Sequence, residues 1–360
     1  MKILMISRAT LFSSPGGDTT QVVETARHLR VLGVEVDIKL SDQRIAYKKY
    51  DLLHFFNIDR PNDILLHMRR SKKPFVVSTV FVDYGELERY FRKGFLRLCT
   101  KVFSPDQLEY LKVLARAFLN GEKLRSLEYF FRGHRSSVQQ VVRKTAMLLP
   151  NSKSEYQRLV DSYKESQRYK IIPNAIRKEL FGQAPPNYKK EGLLCVGRIE
   201  SRKNQLNLIR AVKKTKYKLK LVGIPAPNHI EYFNSCKREA NEQIEFLGRI
   251  SEEDLLKEYQ AAKVHILASW FETTGLSSLE AAAQGCQLVI SRKGDTEEYF
   301  QGDAFYCEPD DVNSIAKAIE EAYKEPFNNC LRSRIMKEYT WEITAKMTLE
   351  AYQQVLREQE

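Results

Sequence analysis

No stretch of this 360-residue chain reaches the run of about 18 apolar residues that a bilayer-spanning helix needs. The opening Met1–Arg8 is too short for a signal-peptide core and reads as a first strand. Six cysteines (Cys99, Cys195, Cys236, Cys286, Cys307 and Cys330) lie at no metal-like spacing, several within apolar strands. That pattern reads as reduced thiols in a cytoplasmic protein rather than a disulfide framework. With 43% hydrophobic and 11% aromatic residues, the composition excludes a disordered chain. No recognisable nucleic-acid-binding module is present, so no nucleic acid is expected as a partner. What remains is a globular chain long enough for two domains.

Acidic residues are scarce in one half only. Residues 1–150 hold 26 Lys and Arg against 15 Asp and Glu, whereas residues 151–360 hold 32 against 31. Nearly all of the net charge of +12 therefore lies in the first half. Such asymmetry points to an anionic partner for the N-terminal domain, such as a membrane surface or a lipid phosphate.

Apolar runs and helical periodicities alternate along the chain. Strands are predicted at Ile3–Ser7, Val34–Ile38, Asp51–Phe56 and Phe75–Thr79, with short ones at 147–150 and 170–173. A helix from about Thr19 follows the Ser13–Asp18 loop, and Gly33 lies just past its end. The pattern restarts at Gly192–Gly197, with a helix near Gln205–Lys213 and strands at 219–223, 244–247, 264–268, 288–290 and 304–307. Strands alternating with helices define an α/β class with parallel sheets. The stretch 181–187, rich in Gly, Pro and Asn, suits a linker, so the domains are set at 1–175 and 176–340. A last helix over about 341–358 follows the completed second sheet and is placed back on the first domain. Two doubly wound domains facing each other would gather both sets of strand carboxyl ends around one cleft.

The segment Phe271–Glu280 holds two glutamates around Gly275, between the strand at 264–268 and a helix beginning near Ser277. The first amides of such a helix lack intrahelical acceptors and suit an anion, above all a diphosphate. Carboxylates would repel that anion, so Glu272 and Glu280 are better matched to hydroxyls on either side of it. A diphosphate flanked by hydroxyl-rich groups is a nucleotide sugar.

Other motifs fall in a telling order: Gly16-Gly17 after the first strand, 149–152 (Leu-Pro-Asn-Ser), 172–174 (Ile-Pro-Asn), 197–203 (Gly-Arg-Ile-Glu-Ser-Arg-Lys), 246–249 (Phe-Leu-Gly-Arg), and the two-glutamate segment. In this order the chain resembles the retaining glycosyltransferases of family 4, closely over most of 145–325 and in outline before that. The resemblance implies the GT-B fold, an N-terminal acceptor domain and a C-terminal domain for a nucleotide-sugar donor. UDP is favoured as its nucleotide. It places Arg198 and Lys203 on the leaving diphosphate, where preplaced cations stabilise growing charge without reorganisation. No Asp-x-Asp occurs in the sequence, and no metal or other cofactor is expected beyond the sugar nucleotide as co-substrate.

The same resemblance gives Glu280 the ribose hydroxyls and Glu272, with Arg198 and Lys203, the catalytic end beside the sugar. Thr274, Gly275, Leu276 and Ser277 would offer amides to the diphosphate, and the Thr274 hydroxyl either adds a phosphate donor or caps the helix. Gly16 and Gly17 would let backbone approach the diphosphate or the acceptor closely. Gly248 and Arg249 fall where backbone meets the base. The chain departs from the family at the end of the fourth strand. There many relatives carry a histidine against the transferred sugar, and 78–84 has none. Asp83 and His134 are the polar candidates for that acceptor and sugar region, His134 also reading as a structural residue.

The expected activity is hexosyl transfer to a saccharide or lipid-linked saccharide in cell-surface polysaccharide synthesis, at the cytoplasmic face. An epimerase or hydrolase of the same fold, or a non-catalytic sugar-nucleotide-binding subunit, are the alternatives. Leu87–Leu98 has an apolar stripe ringed by Arg89, Arg92, Lys93 and Arg97, which fits either a core helix or peripheral contact with an anionic membrane.

Overall fold

The computed structural model describes residues 1–82, 106–108, 110, 111, 113, 126–183, 189–326 and 329–359. Asp83, the stripe at 87–98 and most of the linker at 181–187 lie outside the described residues. The first unit contains β1 (Lys2–Ser7), α1 (Gly17–Val31), β2 (Glu35–Leu40), β3 (Leu52–Phe56), α2 (Pro61–Ser71), β4 (Phe75–Ser78), α3 (Leu127–Lys144), β5 (Met147–Leu148) and α4 (Lys153–Tyr163). Its sheet runs in the order β2-β1-β3-β4-β5, with every pairing parallel. Both faces of β3 and β4 are buried, as a parallel sheet covered on two sides requires. Alternation along β1 sends Ile3 and Met5 into one core and Leu4 and Ile6 into the other.

The second unit contains α5 (Lys178–Phe181), β6 (Leu193–Val196), α6 (Gln205–Val212), β7 (Leu219–Val222), α7 (Ile230–Glu239), β8 (Ile244–Gly248), α8 (Glu252–Ala261), β9 (Val264–Leu267), α9 (Leu276–Ala283), β10 (Gln287–Ser291), α10 (Thr296–Phe300), β11 (Phe305–Cys307), α11 (Val312–Lys324) and α12 (Asn329–Glu338). Its six strands run β11-β10-β9-β6-β7-β8, again all parallel. The order reverses between β6 and β9, and ligands in such sheets bind at the carboxyl ends beside that reversal.

The last helix, α13 (Trp341–Arg357), belongs to the first unit, while the second runs unbroken from Ala175 to Thr340. Ala345, Tyr352 and Val355 of α13 share a core with Val22 and Leu29 of α1. The short strand expected at 170–173 does not form. Tyr169 makes only an isolated bridge to Leu148, and Pro173 carries no amide hydrogen to extend a ladder.

Candidate active site

The site in the second unit is assembled from two segments distant in sequence that leave adjacent strands at the reversal point. After β6 the chain turns through a 3-10 segment, Ser201–Lys203, and after β9 through 268–275 into α9. Hydrogen bonds join these turns. The Trp270 amide donates to the Arg202 carbonyl at 2.8 Å, and Arg202 Nη1 donates to the Phe271 carbonyl at 2.8 Å. Asn204 Nδ2 donates to the Ala268 carbonyl at 3.0 Å, and Lys203 Nζ donates to Glu272 Oε1 at 2.6 Å.

Lys203 and Glu272, both expected in the site, thus meet directly. Their side chains are 13% and 7% exposed, so the pair is shielded from solvent. Burial pushes the Glu272 carboxyl upward in pKa, but Lys203 and then Arg202 outweigh it and the net direction is down. Glu272 is an anion here. Arg202 also approaches Glu272 Oε1 at 3.5 Å and donates to Glu200 Oε1 at 2.9 Å. Arg198 lies 3.6 Å from Glu200 and is 40% exposed, the least committed cation of the group.

The main chain of Glu272 is fixed as well. Its amide donates to the Lys293 carbonyl at 3.2 Å, and its carbonyl accepts from the Asp295 amide at 2.8 Å. Gly294 lies between them with φ +93°, and a Cβ there would stand 2.1 Å from the Glu272 carbonyl oxygen. Only glycine permits that approach.

Gly275, at φ +71°, is the N-cap of α9, and the Ser278 and Leu279 amides donate to its carbonyl. The amides of Leu276 and Ser277 precede the helical ladder, so the helix mouth carries donors and partial positive charge. One turn on, Glu280 Oε2 accepts from the Tyr259 hydroxyl at 3.0 Å. Burial raises the Glu280 carboxyl to about 7, against the lowering effects of Tyr259 and Arg177.

Other sequence candidates fall elsewhere. Thr274 is buried, with its hydroxyl 3.4 Å from the Tyr299 hydroxyl, and the N-cap of α9 is its neighbour Gly275. His134 is likewise turned inward. Its Nδ1 is 3.2 Å from the Tyr129 hydroxyl, and the two rings meet edge to face, so it fills the core of the first unit rather than facing a ligand. Gly248 has φ +67° and Arg249 is exposed at the carboxyl end of β8. Gly16 is the N-cap of α1 in extended conformation, with its amide donating to the Thr19 hydroxyl at 3.0 Å, and Gly17 is the first helical residue. Both belong to the first unit.

Sequence reasoning missed Arg202, Glu200, Asn204 and Gly294. Arg202 stood in the quoted motif, but nothing local marks it as the residue that reaches across to Phe271 and Glu272. That depends on β6 and β9 being neighbours.

The fold and this arrangement define a GT-B protein of two parallel Rossmann-like sheets. By overall structure the chain is similar to sucrose-phosphate synthase from Thermosynechococcus elongatus, with TM-score 0.74 and 16% identity over 99% of both chains. It is also similar to HepE of Anabaena solved with UDP and glucose, with TM-score 0.73 and 14% identity over 98% of this chain and 99% of that one. Residues 176–340, nearly the whole of the second unit, match the model for "Glycosyl transferases group 1" and belong to that family of glycosyltransferases. Among curated relatives, the chain is 26% identical over 332 residues to the N-acetylgalactosamine-N,N'-diacetylbacillosaminyl-diphospho-undecaprenol 4-alpha-N-acetylgalactosaminyltransferase of Campylobacter jejuni. That match spans 86% of this chain and 88% of the relative. It is 27% identical over 170 residues to the O-antigen chain mannosyltransferase B of Escherichia coli, covering 44% of this chain and 45% of that protein.

Proposed function

We propose that the chain is a retaining hexosyltransferase that takes a UDP-sugar and glycosylates a saccharide or lipid-linked saccharide. The observation that carries this is the buried Lys203–Glu272 pair beside the amide-bearing mouth of α9 at the reversal point of the second sheet. The names of the relatives support the substrate classes: one acts on a diphospho-undecaprenol-linked glycan, and HepE was solved with UDP and glucose.

In this reading the α9 amides and Arg198 bind the diphosphate. Lys203 is shared between it and Glu272, so positive charge stands ready where the leaving phosphate gains negative charge. These groups take the place of a metal, and activity would persist in a chelator. Glu272 accepts hydroxyls of the sugar and stabilises positive charge at the anomeric carbon, while Glu280 accepts the ribose hydroxyls. The departing phosphate removes the proton of the acceptor hydroxyl on the same face, which retains configuration.

Contact with an anionic membrane belongs to the same proposal. Leu127, Phe130 and Phe131 of α3 are exposed, with Arg69, Arg132 and Lys144 exposed on the same unit. No helix among the described residues is long and apolar enough to cross a membrane, so attachment at the cytoplasmic face would be peripheral. Co-sedimentation with phosphatidylglycerol vesicles, lost at high salt, tests this part.

The main test is a thermal-shift panel of UDP, GDP, ADP and dTDP with their sugars, since a ligand of the native state raises its melting temperature. UDP and a UDP-sugar should give the largest shift, and Lys203→Ala and Glu280→Ala should each reduce it. Loss of the shift in neither variant would refute the site assignment. Rapid donor breakdown without acceptor would favour the epimerase or hydrolase reading instead.

A further inference from the structure

Arg202 meets three consecutive residues of the turn that carries Glu272. Its carbonyl accepts from the Trp270 amide at 2.8 Å, its Nη1 donates to the Phe271 carbonyl at 2.8 Å, and the same nitrogen lies 3.5 Å from Glu272 Oε1. Its Nη2 donates to Glu200 Oε1 at 2.9 Å. The two terminal nitrogens of one planar fork are therefore engaged on different segments, which sets the plane and the position of the guanidinium. The side chain is 19% exposed, so solvent screens its charge weakly.

The same contacts form a row of alternating charge. Glu272, Arg202, Glu200 and Arg198 follow one another, with Arg198 Nη2 3.6 Å from Glu200 Oε2, and Lys203 closes on Glu272 at 2.6 Å. In the glycosyl-transfer reading the ends of this row have different tasks. Arg198 and Lys203 meet the leaving diphosphate, and Glu272 meets the sugar. A diphosphate in the site competes with Glu272 for Lys203, whose flexible stem and three donors let it turn. Arg202 does not follow, because its fork is anchored at the Phe271 carbonyl and Glu200.

Burial works against the charge of Glu272, and Lys203 and then Arg202 overcome it. With Lys203 drawn away, Arg202 is left to oppose burial. Two further titratable groups act on Glu272 from the neighbouring strands, and both are neutral at pH 7. Burial pushes the Cys195 thiol of β6 up to about 12 and lowers His265 of β9 to about 3. From the turn after β10, Lys293 and Asp295 meet Glu272 through main-chain groups.

We infer that Arg202 is a positioning residue of the transfer site, anchoring the turn at 270–272 and remaining as the cation beside Glu272 when Lys203 turns to the diphosphate. The inference rests on the glycosyl-transfer reading and gives Arg202 no contact with substrate. A carboxylate beside a guanidinium stays ionised to lower pH, by about 1–3 pH units for a close pair. Glu272 must be an anion to stabilise positive charge at the anomeric carbon, so Arg202 extends activity toward acid.

The test compares the wild type with Arg202→Gln, Arg202→Lys and the double variant Arg202→Gln/Glu200→Gln. Calorimetry with UDP reads nucleotide affinity. UDP release from UDP-glucose or UDP-N-acetylglucosamine, with p-nitrophenyl glycosides as acceptors, reads kcat from pH 8 down to pH 5, and kcat reports the groups of the bound complex. Arg202→Gln removes both charge and fork, whereas Arg202→Lys keeps the charge without the fork. The double variant also removes the carboxylate that Arg202→Gln leaves without its partner.

At pH 8, Arg202→Gln should lower kcat roughly tenfold, the scale of one lost charge-assisted hydrogen bond, with UDP affinity within about twofold. The deficit should grow as pH falls, because the acid limb of kcat moves up by about one pH unit. Arg202→Lys should share the deficit at pH 8 but keep it constant with pH. A residue that only braces the fold lowers kcat equally at every pH. If Arg202→Gln does not fold, the double variant decides, with the same growing deficit expected. A deficit in Arg202→Gln that is constant with pH, one in Arg202→Lys that grows as steeply, or a loss of UDP affinity as large as the loss of kcat overturns the inference. Unchanged kinetics in Arg202→Gln overturn it while leaving the glycosyl-transfer reading intact. A wild-type chain that neither binds UDP nor releases it from either sugar nucleotide overturns that reading first, and this inference with it.

Discussion

Replacing Lys203 by methionine keeps most of its volume and removes the charge that faces Glu272. The carboxylate it leaves is 7% exposed, with Arg202 at 3.5 Å as the nearest remaining cation. Breaking a buried pair by deleting one partner costs on the order of 3–5 kcal/mol, because the other charge stays buried without compensation. Arg202 offsets part of this, so the expected loss for Lys203→Met lies toward the lower end, about 3 kcal/mol at pH 7. Glu272→Gln should cost less, since the ammonium it strands is the more exposed partner. With both charges removed, Lys203→Met/Glu272→Gln should recover to within about 1–2 kcal/mol of the wild type.

The pH dependence has a fixed sign. Glu272 has a folded pKa below its ordinary value of 4.5, so the pair's contribution is present above that value and is lost as pH falls through the folded one. The gap between wild type and Lys203→Met should therefore be full at pH 7 and close as the medium is acidified below 4.5. Urea titration followed by Trp270 fluorescence in a Trp341→Phe background reads the second unit alone, since the chain's two tryptophans lie one in each unit. A Lys203→Met midpoint equal to that of the wild type at pH 7, or a gap that widens in acid, would refute the reasoning.

Gly294→Ala puts a Cβ 2.1 Å from the Glu272 carbonyl oxygen, so the turn must retreat. A shift of about 1 Å at Glu272 should lower kcat/KM roughly a hundredfold, and wild-type kinetics would show that this turn does not fix Glu272. His265, fully buried on β9, has no hydrogen-bond partner for either ring nitrogen among the described residues, so His265→Phe should stabilise the protein by about 1 kcal/mol in urea titration. Burial, then Lys203, lower the His265 pKa to about 3, so the neutral ring costs stability progressively as pH falls below 6.5; the same variant should resist acid better. With Glu280 raised to about 7, affinity for UDP should fall as pH drops below that value. Tyr259→Phe removes a hydrogen bond that favours the charged carboxylate, so calorimetry should show that midpoint moving upward, and an unmoved midpoint would exclude Glu280 as its origin.

Patterns carried by the local chain were legible before any coordinates. The strands of both sheets read directly from apolar runs, because a strand covered on two faces must be apolar throughout. The glycine-initiated α9 and its two glutamates read from spacing alone. What was not legible depends on which side of an element faces inward, or on which strands become neighbours. Thr274 meets Tyr299, 25 residues further along the chain, and His134 meets Tyr129 only five residues earlier but across the non-helical Gly133, which breaks the helical register the sequence pattern would follow. Arg202 acquires its role only because β9 lies beside β6, some 70 residues earlier in the chain. The missing strand at 170–173 is an opposite case: an apolar run suggested a ladder, but the Ile172 amide goes to the Pro150 carbonyl beyond the end of β5.

The position of α13 bears on the order in which the molecule can be made. Residues 175–340 form an uninterrupted unit and can close their core as soon as they leave the ribosome. The sheet of the first unit emerges earlier, yet one of its cores is completed by Ala345, Ala351, Tyr352 and Val355, and the Tyr352 hydroxyl meets buried His54 Nδ1 at 2.7 Å. Until that helix is synthesised, the flank of α1 and the apolar face of β1 stay open to solvent and to other chains. Domains usually mature in the order of synthesis; here the half begun first is finished last, and its exposed interval lasts as long as translation of the intervening unit.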